Sequence, residues 1–121
     1  MQDWSTPTPE VQGRISNWIH SYRPDAILST EWNIKLLLTG SGFRIPEDIA
    51  LASTSIINTG GEVDSGMLES PEEVGSTAVR TLVGLIQRNE VGIPEHRHDI
   101  LVRSRWQFGN TLPIRTPEST A

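Results

Sequence analysis

The sequence predicts an α/β fold built from parallel βαβ units, and three observations lead to that class. Two short apolar runs, residues 26–28 and 49–52, have the continuous hydrophobic character of strands that are buried on both faces. Between them, residues 34–38 have the character of a short helix, and Gly40 follows as its terminator. A strand, a helix and a second strand in that order form the unit from which parallel sheets are built.

A helix is also predicted before the first strand. Thr8 is suited to cap it, Pro9 fits the first helical position and Glu10 lies in the first turn. Apolar residues follow at helical spacing, namely Val11, Ile15, Trp18 and Ile19. We expect this helix to run from about residue 9 to residue 20, because the Arg-Pro pair at 23–24 prevents its continuation.

Two further strands are predicted in the second half of the chain. Residues 56–64 show no periodicity and contain the pair Gly60-Gly61, which indicates a connection. Residues 66–69 are predicted as a third short strand, and residues 100–102, continued by the alternating residues 103–108, as a fourth. Residues 113–121 have no periodicity and are predicted to be a disordered tail.

The clearest local signal is the start of a long helix at Ser70. Ser70 is suited to cap the helix, Pro71 fits its first position, and Glu73 is placed to complete a capping box. The following residues have the pattern of an amphipathic helix, so we expect it to bury one face against the core. The residues expected on that face are Val74, Ala78, Val79, Leu82, Leu85 and Ile86.

Composition and charge exclude several classes of protein. The chain of 121 residues has no cysteine, which excludes disulfide scaffolds, thiolate metal sites and thiol nucleophiles. The formal net charge is −5 and the ten Lys and Arg residues are scattered, so nothing here indicates direct contact with DNA. There is no secretion-signal pattern and no apolar stretch of membrane-spanning length. We therefore expect a cytoplasmic protein that does not bind membranes.

No motif in the sequence indicates catalysis. It contains no P-loop, no dinucleotide glycine fingerprint and no Gly-x-Ser-x-Gly elbow. Glu72 and Glu73 are adjacent and do not face each other on a helix, so they are interpreted as capping residues rather than as a catalytic pair. His96 and His98 lie in a loop without further ligands and are interpreted as solvent-facing. We expect no enzymatic activity, no catalytic residue, no cofactor and no metal site.

Four segments of the sequence point to a family. They read Pro-Asp-Ala-Ile at 24–27, Gly-Phe-Arg-Ile-Pro-Glu-Asp-Ile-Ala at 42–50, Glu-Glu-Val-Gly at 72–75 and Ile-Leu-Val-Arg-Ser at 100–104. In this order they resemble the end of bacterial transcriptional regulators of the lactose-repressor (LacI/GalR) family, and the segment at 42–50 is the most specific. The chain resembles the C-terminal part of the effector domain of that family, and some of its forms are similar to a branch that includes xylose-regulator-like proteins.

The resemblance implies a periplasmic-binding-protein-like (type I) fold of two lobes with a small-molecule effector, often a sugar or nucleobase, bound between them. Effector binding would then change the affinity for DNA of an N-terminal helix-turn-helix, which these residues do not include. Residues 1–112 would form the C-terminal portion of the effector-binding and dimerisation domain, and residues 65–90 would belong to its other lobe. The alternative is a stand-alone solute-binding or adaptor domain without DNA binding.

The incompleteness of this domain predicts self-association. A parallel sheet is normally covered on both faces, and the resemblance implies that some covering elements are missing. We expect a homo-oligomer, a dimer or larger, with domain swapping as one way to form it. DNA would be a partner only through the absent N-terminal domain.

Four residues are predicted to contact the effector, because ligands of open α/β folds bind at the carboxyl ends of strands. The resemblance places Glu31 where the family commonly has an effector-contacting Asn, Ser55 where it has an Asp, and Glu69 near a Gln. Trp4 lies near the position of a stacking aromatic. With Ser55 in place of Asp, the bidentate carboxylate that orients vicinal hydroxyls is missing. Strand ends are also polar wherever they meet water, and that interpretation stays open for Glu31, Ser55 and Glu69. For Trp4 the alternative is a disordered N-terminal tryptophan.

Overall fold

Helices and short strands alternate along residues 7–116, the part of the chain that the computed structural model describes. The elements are α1 (Pro9–Tyr22), β1 (Ala26–Ser29), α2 (Ile34–Gly40), β2 (Ala50–Ser53), a 3-10 turn (Ile57–Thr59), β3 (Gly66–Leu68), α3 (Pro71–Gln87) and β4 (Arg105–Gln107). The predicted α/β class, the first βαβ unit and the third strand are confirmed.

The four strands form one sheet in the order β1-β2-β3-β4. β1 and β2 are parallel, with Ala26 opposite Ala50 and Ser29 opposite Ser53. β2 and β3 are also parallel, with Ser53 opposite Gly66. The carboxyl ends of β1 and β2 therefore lie side by side at one edge of the sheet.

Helix α1 has the predicted N-terminal cap. The Oγ1 atom of Thr8 accepts a hydrogen bond from the backbone N–H of Val11 at 3.3 Å, and Pro9 occupies the first turn. The helix ends at Tyr22, slightly later than predicted, where Arg23 adopts a left-handed conformation with φ of 46°. The N–H of Arg23 donates to the carbonyl of Ile19 at 2.7 Å and so satisfies a terminal acceptor of the helix.

The core lies where α1, α2 and β2 meet. Its buried side chains are Ile19, Ile34, Leu38, Ile49, Leu51 and Val63. β2 is buried along its whole length, as predicted. The same prediction is wrong for β1, whose Leu28 is 63% exposed. The reason is that β1 is an edge strand, so Leu28 has a neighbouring strand on one side only.

Residues 42–50, the segment most specific for the family resemblance, form the turn that leads into β2. Gly42 begins it with φ of 90°, a conformation that glycine adopts without strain. The carboxylate of Asp48 accepts hydrogen bonds from the backbone N–H of Arg44 at 2.8 Å and from its Nε and Nη2 atoms at 3.0 and 2.6 Å. The N–H of Asp48 donates back to the carbonyl of Arg44 at 2.9 Å, which closes the turn.

The chain divides into two compact units. One contains the described residues up to Leu68 and those from Trp106 onward, and the other is Glu69–Arg105. In the second unit α3 begins at Pro71 as predicted, but the side chain of Ser70 makes no capping hydrogen bond.

The expected burial of one face of α3 is wrong for this chain. No residue of the helix is buried, and Val79, Leu82 and Ile86 are 61%, 57% and 67% exposed. The amphipathic pattern identifies an apolar face, but no other complete helix or strand lies within Glu69–Arg105 to bury it. The helix therefore presents an uncovered apolar stripe.

The predicted fourth strand is confirmed within its continuation at residues 103–108 but is wrong at residues 100–102. These residues have no regular structure and Leu101 is 92% exposed, whereas the strand that joins the sheet is Arg105–Gln107. Of the predicted tail, residues 113–116 lack regular structure and the rest lies outside the described residues. None of the helices within residues 7–116 combines the length and apolar character that a membrane crossing requires.

Candidate functional site

Two buried serines organise the chain at the carboxyl ends of β1 and β2. The Oγ atom of Ser29 accepts a hydrogen bond from the backbone N–H of Glu31 at 3.0 Å. The hydroxyl of Ser53 donates to the carbonyl of Ser55 at 2.9 Å and accepts from its N–H at 3.1 Å. The N–H of Thr54 donates to the carbonyl of Ser29 at 3.0 Å, which continues the pairing beyond the strands. These bonds hold Glu31 and Ser55 after neighbouring strand ends.

A groove of about 500 Å³ lies beside Glu31, between α1 and α2. We call it the α1/α2 groove. Its apolar lining comes from Val11 and Ile15 of α1 and from Ile34 and Leu37 of α2. Small-molecule sites are concavities of roughly 300 to 1,000 Å³ with mostly apolar walls and a few polar groups, so the dimensions and lining suit a small ligand.

The polar groups of the α1/α2 groove are contributed by Arg14, Glu31 and Asn33. Neither the guanidinium of Arg14 nor the carboxylate of Glu31 forms an ion pair or side-chain hydrogen bond with another described residue. Trp18 lines the same groove, and 47% of its surface is exposed. The groove thus combines an apolar surface, an aromatic ring, a cation and an anion.

Ser55 has a local structural role at its strand end. Its hydroxyl oxygen accepts a hydrogen bond from the backbone N–H of Asn58 at 3.4 Å, at the start of the 3-10 turn. Ser55 does not line the α1/α2 groove. The structure therefore places Glu31 and Ser55 after adjacent strands but brings only Glu31 into the groove.

The other two predicted contacts lie elsewhere. Glu69 is the first residue of the second compact unit, and its Oε2 atom is buried with no hydrogen-bond partner in the described part of the chain. Trp4 lies outside the described residues. Within the first unit, Glu31 is the predicted contact that the geometry supports most directly.

Sequence reasoning missed Arg14 and did not assign Trp18 to a site. Together with Val11 they recur at helical spacing and so share one side of α1. That spacing is a signal, but it becomes meaningful only when α2 is known to pack beside α1. The search for polar strand ends leads only to residues that follow strands.

A separate cluster of hydrogen bonds centres on the carboxylate of Asp64. It accepts from the backbone N–H groups of Asn110 and Thr111, both at 2.8 Å, and from the hydroxyls of Thr111 at 2.9 Å and Ser65 at 3.2 Å. Partial burial raises the pKa of this carboxyl, but the hydrogen bonds outweigh it and lower the pKa to about 2. Because both of its carboxylate oxygens accept hydrogen bonds, Asp64 acts as an anchor of the fold.

Within residues 7–116, no three side chains of His, Asp or Glu come together in a way that could hold a metal ion. The sequence matches no protein-family model, and no curated protein or solved structure matches it either.

Proposed function

We propose that this chain is the effector-sensing and dimerisation segment of a transcriptional regulator of the LacI/GalR type. In this proposal the domain has the periplasmic-binding-protein-like (type I) fold and binds a small molecule between two lobes. Binding modulates the affinity for DNA of an N-terminal helix-turn-helix outside these residues. The protein acts in the cytoplasm and has no enzymatic activity.

The observation that supports a binding role most strongly is the alignment of the ends of β1 and β2. Ser29 and Ser53 are direct neighbours in the parallel pair, and each hydrogen-bonds to the residue two positions ahead, Glu31 or Ser55. In open α/β sheets this edge is where ligands bind, since the turns that follow the strands leave polar groups around a crevice.

Three of the four segments that resemble the family coincide with structural boundaries, which also supports the proposal. The segment at 24–27 leads into β1, the segment at 42–50 forms the turn into β2, and the segment at 72–75 lies in the first turns of α3. The segment at 42–50 is fixed by the contacts between Arg44 and Asp48. The motifs thus occupy positions that determine how the elements connect.

Ligand binding is tested by titrating the isotopically labelled protein with D-xylose, D-glucose, D-glucuronate and adenine at millimolar concentrations. We expect one of these ligands to shift the amide resonances of Glu31 and Ser55 in a saturable way. The variants Glu31→Gln and Ser55→Ala should reduce the response. Ser21→Ala, in which an exposed hydroxyl that contacts only its own helix is removed, should not change it. The absence of saturable shifts at this edge would argue against the proposal.

Self-association is tested separately. The exposed Leu28 on the sheet and the uncovered stripe of α3 are apolar surfaces that association can bury. Light scattering coupled to size-exclusion chromatography should show a dimer or larger species at micromolar concentration. A folded monomer under these conditions contradicts this part of the proposal. The link to DNA is tested by whether the same reading frame also encodes a helix-turn-helix.

A further inference from the structure

The α1/α2 groove has a floor suited to the apolar part of a ligand. Ile34 and Leu37 are only 8% and 6% exposed, so they form a preformed apolar surface. Trp18 lies at the same groove with about half of its surface open, and an indole ring favours contact with flat or apolar groups. Removing the exposed surface of Trp18, Val11 and Ile15 from water favours binding of an apolar side chain.

The charges at this groove restrict the ligand further. Arg14 and Glu31 line the same groove, carry opposite charges, and neither has an ionic partner among the described residues. A simple anion would be attracted by Arg14 and repelled by Glu31. A simple cation would be attracted by Glu31 and repelled by Arg14. A neutral sugar would leave both charges without a partner. A ligand with a carboxylate and an ammonium group satisfies both.

We propose that the α1/α2 groove binds a free α-amino acid with an apolar or aromatic side chain. The carboxylate of the ligand pairs with Arg14, its ammonium group pairs with Glu31, and its side chain contacts Trp18 and the apolar floor. The inference rests on the proposed small-molecule role of the chain and replaces the sugar-like effector with another ligand class. The groove volume of about 500 Å³ is ample for such a ligand.

Three small molecules test this on the unmodified protein. L-phenylalanine has both charges, 3-phenylpropionate lacks the ammonium group, and 2-phenylethylamine lacks the carboxylate. We expect L-phenylalanine to shift the indole N–H resonance of Trp18 and the amide resonance of Glu31 in a saturable way. Each singly charged analogue should bind about 1.5- to fivefold more weakly, the range expected for losing one exposed ion pair. Absence of L-phenylalanine binding, or equal binding of either analogue, overturns the proposal.

Two variants separate the roles of the charges. Arg14→Gln should weaken binding of L-phenylalanine and 3-phenylpropionate and leave 2-phenylethylamine unchanged. Glu31→Gln should weaken L-phenylalanine and 2-phenylethylamine and leave 3-phenylpropionate unchanged. Glu10→Gln and Arg115→Gln are matched controls, since both residues are exposed and lie outside the groove. A misfolded variant would lose all three ligands together, so the selective pattern identifies the charges directly.

The failure of this inference is distinguishable from failure of the proposed function. If a sugar or adenine produces saturable shifts at Ser55 and L-phenylalanine produces none, the effector role stands and the amino-acid inference falls. If neither class of ligand binds, both the proposed function and the amino-acid inference are wrong. If L-phenylalanine binds with the charge dependence described, the amino-acid inference is correct even when no sugar binds.

Discussion

The carboxylate of Asp64 holds both the backbone N–H and the side-chain hydroxyl of Thr111. The Oδ1 atom of Asp64 accepts the N–H of Thr111 at 2.8 Å and the hydroxyl of Thr111 at 2.9 Å. The carbonyl of Thr111 in turn accepts the N–H of Leu51 in β2 at 2.7 Å. A single carboxylate therefore fixes a distant C-terminal segment against the strand at whose end Ser55 lies.

The anchor at Asp64 predicts a loss of stability in acid. The hydrogen bonds hold the pKa of Asp64 at about 2, below the ordinary 3.8, so the folded state binds this proton less readily than the unfolded state. Its contribution is therefore complete above pH 4 and is lost as the pH falls from about 4 to 2. We expect Asp64→Asn to lower the free energy of unfolding by about 1 to 2 kcal/mol at neutral pH.

This difference should shrink toward pH 2, because Asp64 is protonated in the unfolded wild type below pH 4 and becomes increasingly protonated in the folded state near pH 2. Urea unfolding followed by circular dichroism at several pH values measures the difference between the two proteins. Subtracting the variant removes the effect of other carboxylates, including Asp48. A difference that stays constant between pH 4 and pH 2 would show that the charge of Asp64 is not what stabilises the anchor.

The hydroxyl of Thr111 should contribute measurably by itself. Thr111 is buried, and replacing it with valine keeps the shape while removing the donor to Asp64. We expect Thr111→Val to lower the free energy of unfolding by only about 1 kcal/mol, because the carboxylate of Asp64 keeps its backbone donors. Thr39→Val is the matched control, because the hydroxyl of Thr39 is exposed and contacts only carbonyls of its own helix. Equal effects of the two substitutions in urea unfolding would contradict this prediction.

Gly66 in β3 should not tolerate replacement by a residue with a side chain. Its φ is 137°, and a Cβ atom added there would lie 1.9 Å from the carbonyl oxygen of Ser53. Because β3 would have to move away from β2, we expect Gly66→Ala to destabilise by about 3 kcal/mol or more. Gly13→Ala is the control, since Gly13 lies inside α1 with open space around it, and alanine there should stabilise by about 0.5 to 1 kcal/mol. The midpoint of thermal unfolding should fall for Gly66→Ala and rise for Gly13→Ala.

The elements of the first unit could be predicted because their signals are local. The pair Thr8-Pro9 specifies the start of α1, and the apolar run at 49–52 gives a strand buried on both faces. Burial of α3 could not be predicted in the same way. Periodicity shows which face of a helix is apolar, whereas the element that covers the face depends on the rest of the fold. The fourth strand was predicted over residues 100–108, but only Arg105–Gln107 joins the sheet beside β3, because the extent of pairing also depends on the rest of the fold.

The candidate site could be predicted only in part for a similar reason. Glu31 follows a strand, and the rule that ligands bind at strand ends leads to it directly. Arg14 and Trp18 belong to a helix, and they become part of a groove only through the packing of α1 beside α2. Asp64 lies in the irregular connection before β3, and its partners at residues 110–111 are far away in sequence.

The contacts of Arg44 in the turn before β2 predict how the pKa of Asp48 responds to substitution. The guanidinium and the backbone N–H of Arg44 hold the pKa of Asp48 at about 2. Arg44→Gln removes the guanidinium but keeps the backbone donor, so the pKa of Asp48 should rise and still remain below 3.8. Titration of the side-chain carboxyl carbon by NMR measures this. Arg97→Gln, which removes the partner of Asp99, should leave Asp48 unchanged, and an unaltered pKa in Arg44→Gln would contradict the turn geometry.

Two leucines distinguish the covered from the uncovered apolar surface. Leu38 in α2 is fully buried, whereas Leu82 in α3, which was expected to lie on a buried face, is 57% exposed. We expect Leu38→Ala to lower the free energy of unfolding by about 2 to 5 kcal/mol, from lost burial and the cavity that remains. Leu82→Ala should change it by less than about 0.5 kcal/mol, because little surface is removed from water at that position. Chemical unfolding at low protein concentration makes the comparison on the single chain. If Leu82→Ala costs as much as Leu38→Ala there, α3 must pack against the chain more closely than its exposure indicates.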